Sequence, residues 1–169
     1  MNEPQVTIGL INPKSASNVG AVMRAAGCYG VDAVIYTGTR YDRAVKFNTD
    51  TKDRHLTIPL TSVESILTAA PENRKIVCVE LVVGAVPLPD YQHPDNAIYI
   101  FGSEDGTISQ DIIDRADAVV YVPTVGCMNL AGAVNVVLYD RLAKSGLKRA
   151  GDDLIRSSRD TNNRVKVKR

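Results

Sequence analysis

Residues 6–30 decide the fold: Val6-Thr7-Ile8-Gly9-Leu10-Ile11, then Asn12-Pro13-Lys14-Ser15-Ala16-Ser17-Asn18-Val19-Gly20-Ala21-Val22-Met23-Arg24-Ala25-Ala26-Gly27-Cys28-Tyr29-Gly30. The first six residues are β-prone and nearly all apolar, as in a strand buried on both faces. Pro13 denies a ladder donor and turns the chain. Ser17 suits a helix N-cap, and Val19, Val22, Met23, Ala26 and Gly30 recur at helical spacing, so the helix is expected to end near Gly30.

Outward from this unit the pattern repeats. Strands are expected at Ala33 to Thr37, Leu56 to Leu60, Lys75 to Leu81, Ala97 to Phe101 and Ala118 to Val122. Helices are expected at Thr61 to Ala70 before Pro71, from a Ser109 cap through Arg115, and from about Asn129 to Ser145. Near-continuous apolar strands alternating with helices give an α/β fold with a mostly parallel sheet covered on both faces. No internal repeat interrupts it, and no second domain is expected.

The 169 residues, 44% apolar and 23% charged, are enough for one domain with its own core. The apolar run from Leu81 to Val86 stops at Pro87, far short of the roughly 20 residues of a membrane span. No basic-then-apolar leader opens the chain, so a cytoplasmic setting without membrane attachment is expected. Cys28, Cys78 and Cys127 lack C-x-x-C spacing, and only two histidines are present, so neither a disulfide framework nor a metal site is expected.

The net charge of +1 conceals an asymmetry: from Leu147 to Arg169 eight basic residues face three acidic ones, a net +5, leaving −4 on residues 1–146. The chain therefore divides into a domain at 1–146 and a basic, flexible tail at 147–169. Such a tail suits polyanions, because clustered Lys and Arg release counterions from phosphates. A solvated end that aids solubility is the plainer reading.

In open parallel sheets ligands bind beyond the carboxyl ends of the strands. Three such segments mix glycines with polar groups. The first carries Asn18, Gly20 and Arg24, the second Gly102-Ser103-Glu104-Asp105-Gly106, and the third Asn129-Leu130-Ala131-Gly132. Steps of roughly 100° per residue place Ser17, Gly20, Arg24 and Gly27 on one helix side, away from the apolar stripe. Glycines beside Arg24 let a phosphate approach, and the guanidinium fork suits bidentate phosphate binding. Arg24 on a solvated helix also suits a surface ion pair. Glu104 in its turn is placed to accept backbone or arginine hydrogen bonds and is expected to orient Arg24. Asn129 suits a helix cap as well as a functional amide.

The order and spacing of these segments resemble the SPOUT superfamily of RNA methyltransferases, in its SpoU/TrmH branch of ribose 2′-O-methyltransferases. Asn18-x-Gly20-x3-Arg24 is similar to the first family motif, and Phe101-Gly102-Ser103-Glu104-Asp105-Gly106 to the second. Val122-Pro123-Thr124 with Cys127-Met128-Asn129-Leu130-Ala131-Gly132-Ala133 is similar to the third. The resemblance covers residues from about 6 to 146. Two family serines are replaced, by Cys127 and Ala131, which removes their hydroxyls.

The resemblance implies a SPOUT fold whose C-terminal part forms a trefoil knot. It implies S-adenosylmethionine bound in that knot by backbone groups at Leu81, Gly102, Val122, Cys127 and Met128. It implies 2′-O-ribose methylation of RNA, with Arg24 acting on the 2′-hydroxyl and Asn18, Glu104 and Asn129 in support, and a homodimer. A guanidinium is normally protonated, so Arg24 serves either as an unusual base or as a phosphate anchor. The expected substrate is tRNA rather than rRNA, since no separate RNA-binding domain is expected. A non-catalytic RNA-binding protein that kept the fold and the pocket is the alternative. A different nucleotide enzyme lacks support, because neither G-x-G-x-x-G after strand one nor G-x4-G-K-[ST] occurs.

Overall fold

The computed structural model describes residues 3–47, 58–147, 149–159 and 164–168. The strands are β1 (Val6–Leu10), β2 (Ala33–Tyr36), β3 (Leu60–Ser62), β4 (Lys75–Val79), β5 (Val86–Pro87), β6 (Ala97–Phe101) and β7 (Ala118–Tyr121). The helices are α1 (Ala16–Tyr29), α2 (Arg40–Phe47), α3 (Ile66–Ala69), α4 (Gln110–Arg115), α5 (Leu130–Lys144) and α6 (Asp152–Ser158), with a 3-10 turn at Leu88–Asp90. Among the described residues one sheet forms, in the order β3-β2-β1-β6-β4-β7-β5, and every pairing is parallel.

Strand alternation sends side chains to two cores. On one face Ile8, Leu10, Val34, Val77, Tyr99 and Val120 pack with Val19, Val22 and Ala26 of α1 and Val134, Val137 and Leu138 of α5. On the other, Ile35, Cys78, Ile98 and Ile100 pack with Ile66 and Ile108. Full burial of each such aliphatic side chain stabilises the fold by about 1.5–3 kcal/mol, so the sheet is held firmly from both faces. The apolar stripe of α5 at Val134, Val137 and Leu138 therefore belongs to this core. Its far end is tied to the segment before β6: Arg141 donates to the carbonyls of Pro94 and Asp95, and Lys144 to those of Leu88 and Tyr91.

Several element boundaries differ from the sequence expectation. The N-cap of α1 is Ser15, whose hydroxyl accepts from the Asn18 N–H, and Ser17 lies inside the helix. Gly30 does close α1, in the left-handed conformation at φ 70°. The expected strand at Leu56 to Leu60 falls partly outside the described residues, and the strand present is Leu60–Ser62. It takes the beginning of the expected Thr61 to Ala70 helix, because Leu60, Thr61 and Ser62 pair with Val34, Ile35 and Tyr36. Only Ile66–Ala69 remains helical, capped by Ser65. Lys75 begins a strand that stops at Val79, before Glu80 and Leu81.

Candidate functional site

β6, β4 and β7 are neighbours, so Gly102, Glu80 and Val122, the residues just past their carboxyl ends, come together. They line a cleft of about 160 Å³ with Leu81, Glu104, Cys127, Met128 and Leu130. All five expected cofactor positions, Leu81, Gly102, Val122, Cys127 and Met128, are on its wall. The wall is apolar except for a few groups, and its charged members are the carboxylates Glu80 and Glu104; no Lys, Arg or His lines it among the described residues.

Glu80 was not anticipated from sequence. Its Oε1 accepts from the Leu81 N–H at 2.9 Å and its Oε2 from the Ile108 N–H at 3.1 Å, which binds the end of β4 to the segment before α4. Gly102 closes over it: a Cβ there would lie 3.1 Å from Glu80 Oε2 and 3.4 Å from Ile108 Cγ1. Glycine thus lets the backbone after β6 run directly along the cleft.

A chain of side chains joins the three motif segments beside the cleft, reaching its wall at Glu104. Asn129 Nδ2 donates to Asn18 Oδ1 at 3.0 Å, and Asn18 Nδ2 donates to Glu104 Oε1 at 3.2 Å. Asn129 also caps α5, its Oδ1 accepting from the N–H groups of Ala131 at 2.9 Å and Gly132 at 3.3 Å. Glu104 Oε2 accepts from the Lys14 N–H at 3.0 Å and Oε1 from the Ser15 N–H at 3.2 Å. Partial burial pushes the Glu104 carboxyl up, but hydrogen bonds from its own backbone, Asn18, Lys14 and Ser15 outweigh burial and hold it below its ordinary value. The negative charge at the start of α1 also suits the positive end of the helix dipole.

Arg24 is not part of this chain. It stands exposed on α1 and makes no hydrogen bond or ion pair with the described residues. Glu104 therefore orients the start of α1 rather than Arg24 itself, in contrast to the sequence expectation. Ser17, Gly27 and Arg24 are exposed and Gly20 is half-buried, so the small-residue face around Arg24 is open as expected.

Two further groups were not anticipated. Arg40, at the start of α2, forks onto Asp105, and the pair lies beside Lys14. The Arg40 hydrogen bonds hold the Asp105 carboxyl down at about 2. Asn12 takes a left-handed backbone at φ 42°, uncommon outside glycine but tolerated by asparagine. Arg40 carries no motif signature, and its partners lie far away in sequence.

A family model described as the SpoU rRNA Methylase family matches residues 5–139. Among solved structures, the SpoU methyltransferase AviRb from Streptomyces viridochromogenes, in complex with the cofactor AdoMet, superposes with a TM-score of 0.68 at 20% identity. That match covers 86% of this chain and 59% of AviRb, so the chain spans less than two thirds of that protein's length. The TrmH/SpoU tRNA modifying enzyme of A. aeolicus gives 0.66 at 17% identity, covering 85% of this chain and 76% of that one. A structure described for 2-OH methylation of C/U34 on tRNA gives 0.69 at 18% identity, covering 86% and 93%. At these identities the likeness is one of fold. No curated protein shows significant sequence similarity to the chain.

Proposed function

Because the chain belongs to the SpoU rRNA methylase family, we propose that it transfers a methyl group from S-adenosylmethionine to a ribose 2′-hydroxyl of RNA. The observation that carries this reading is the hydrogen-bonded chain of Asn129, Asn18 and Glu104, one from each motif segment, whose Glu104 lines the cleft. Two solved relatives point the same way, one described with bound AdoMet and one for 2-OH methylation on tRNA.

The cleft fits the cofactor chemically. Its apolar wall at Leu81, Val122, Met128 and Leu130 suits an adenine ring, and Glu80 and Glu104, with no lining cation among the described residues, suit a cationic ligand. Backbone groups at Leu81, Gly102, Val122, Cys127 and Met128 would hold it, which is why apolar and small side chains serve at those positions. When bound, S-adenosylmethionine supplies an electrophilic methyl on a sulfonium and leaves as neutral S-adenosylhomocysteine.

The protein's own contribution is placement, which alone is worth several powers of ten in rate. Glu104 fixes the first turn of α1 and Asn129 fixes that of α5, with Asn18 between them. Arg24, without a hydrogen-bond or ion-pair partner among the described residues and flanked by Gly20 and Gly27, offers its fork to the ribose and its phosphate. It acts there as a protonated donor, since a guanidinium does not readily give up its proton, and the 2′-hydroxyl proton passes to solvent water as the new C–O bond forms. The loss of the two serine hydroxyls leaves Asn129 and Thr124 as the polar side chains of the third motif, and the Thr124 hydroxyl is turned to the Gly126 carbonyl.

The same reading gives tRNA rather than rRNA as substrate, the tail at 147–169 as an RNA contact, and a homodimer in which the partner completes each site. It also makes the segment after β7 the threaded part of a trefoil knot. In support, β7 lies inside the sheet between β4 and β5 although it follows both in sequence. Isothermal calorimetry with S-adenosylmethionine and S-adenosylhomocysteine tests the pocket: both should bind without added metal. Absence of binding to folded protein would remove the methyltransferase reading.

A further inference from the structure

One side chain outside the three motifs ties the turn after β1 to the turn after β6. Arg40 Nη1 donates to both carboxylate oxygens of Asp105, at 3.0 and 2.9 Å, and its Nη2 donates to Oδ1 at 3.0 Å. The same guanidinium reaches the Asn12 carbonyl with Nε at 3.2 Å and Nη2 at 2.6 Å. The Asn12 carbonyl is fixed for this purpose. The residue sits in the left-handed region at φ 42°, its N–H donates to Thr37 Oγ1 at 3.2 Å, and Gly38 leaves room for its side chain, where a Cβ would collide with Oδ1.

These bonds bracket the contact on which the candidate site depends. Asn12 lies two residues before Lys14 and three before Ser15, whose N–H groups Glu104 accepts, and Asp105 is the neighbour of Glu104. Arg40 thus clamps both sides of the Glu104 contact from behind. The other link across it, Lys14 Nζ to Asp105 at 3.5 Å, joins half-exposed groups and is weak on its own. A lysine in place of Arg40 offers a single nitrogen and loses the three-bond grip on Asp105 together with the double contact on the Asn12 carbonyl, because only the guanidinium has its donors in a fixed planar fork.

We propose that Arg40 is a positioning residue for methyl transfer, holding Glu104 on the start of α1 and, through Glu104, aligning Asn18 and Asn129 beside the cleft. This rests on the methyltransferase reading above. Arg40 does not line the cleft, so its loss acts on alignment and not on cofactor contacts.

The test compares wild type with Arg40→Ala, Arg40→Lys and Asp105→Asn, with Arg43→Ala on the same helix as control. Side-chain amide signals of Asn18 and Asn129 and hydrogen exchange at Lys14 and Ser15 are followed by NMR. Cofactor affinity and kcat are measured alongside. Arg40→Ala and Asp105→Asn should shift both asparagine signals and speed exchange at Lys14 and Ser15 by about tenfold or more. The loss in kcat should approach about 100-fold, the cost of slight misplacement, with cofactor Kd within about twofold of wild type. Arg40→Lys should recover little, and Arg43→Ala should behave as wild type.

Unshifted asparagine signals with wild-type exchange in folded Arg40→Ala would overturn the proposal. So would shifted signals with unchanged kcat, or cofactor affinity and thermal stability falling in step with kcat. A wild-type protein that binds no S-adenosylmethionine would refute the underlying reaction instead, an outcome recognisable because the NMR readouts need no activity.

Discussion

Glu104→Gln is the sharpest probe of how the motif segments are joined. Besides the bond from its own backbone, the carboxylate accepts three hydrogen bonds, from the backbone of Lys14 and Ser15 and the side chain of Asn18. A glutamine offers one oxygen and one NH2 group, so keeping the two donors on Oε1 turns an N–H toward the Lys14 N–H. A hydrogen bond to a charged group contributes about 1.5–3 kcal/mol, and the absent charge at the α1 terminus adds about 0.3–1 kcal/mol. Glu104 is only partly buried and water replaces part of the broken bond, so the net cost is about 2 kcal/mol. For a domain of this size that lowers Tm by about 4–8 °C. Hydrogen bonding holds the folded carboxyl below its ordinary 4.5, so the stabilisation is complete above that value and disappears as pH falls through the folded pKa. Calorimetric scans should show the wild-type advantage in full at pH 7 and shrinking in acid. Equal Tm at pH 7, or a difference that does not change with pH, would refute the carboxylate's role in holding α1.

Arg24→Ala should leave Tm and cofactor affinity near wild type and abolish methyl transfer, and Arg24→Lys should restore little because the planar fork is missing; single-turnover assays check both. Asn129→Ala should cost about 0.5–2 kcal/mol in denaturant melts through loss of the α5 cap. Asn129→Asp should keep the cap and its stability yet lose turnover, since no N–H remains for Asn18. Truncation after Gly146 should weaken RNA binding and reduce the salt slope by about 0.7–0.9 for each phosphate that the tail neutralises, with cofactor affinity unchanged; unaltered RNA binding would make the tail a solubilising end.

The sheet and its main helices were legible because their information is local. β1, β6 and the buried face of α1 announce themselves as apolar runs or stripes bounded by Pro13, Gly30 and Gly102. What escaped depends on contacts distant in sequence. Ser15 and Ser17 are equally good caps on paper, and Ser15 is favoured because Glu104 binds the N–H groups of Lys14 and Ser15. Thr61 and Ser62 fit a helical pattern until β2 supplies an edge for them to pair with. The motifs placed Asn18, Glu104 and Asn129 near one another, yet the sequence assigned Glu104 to Arg24. Which of several donors a carboxylate meets is set by the approach of two turns and leaves no trace in spacing. Arg40 and Glu80 were missed for the same reason.

The most direct test incubates the protein with methyl-labelled S-adenosylmethionine and fractionated RNA, then maps the labelled nucleotide after alkaline hydrolysis. The account predicts label at a defined ribose, with the adjoining phosphodiester resistant to alkali because its 2′-oxygen is methylated, and no label with Arg24→Ala. Label on a base, or none in any RNA fraction from folded protein that binds the cofactor, would contradict it.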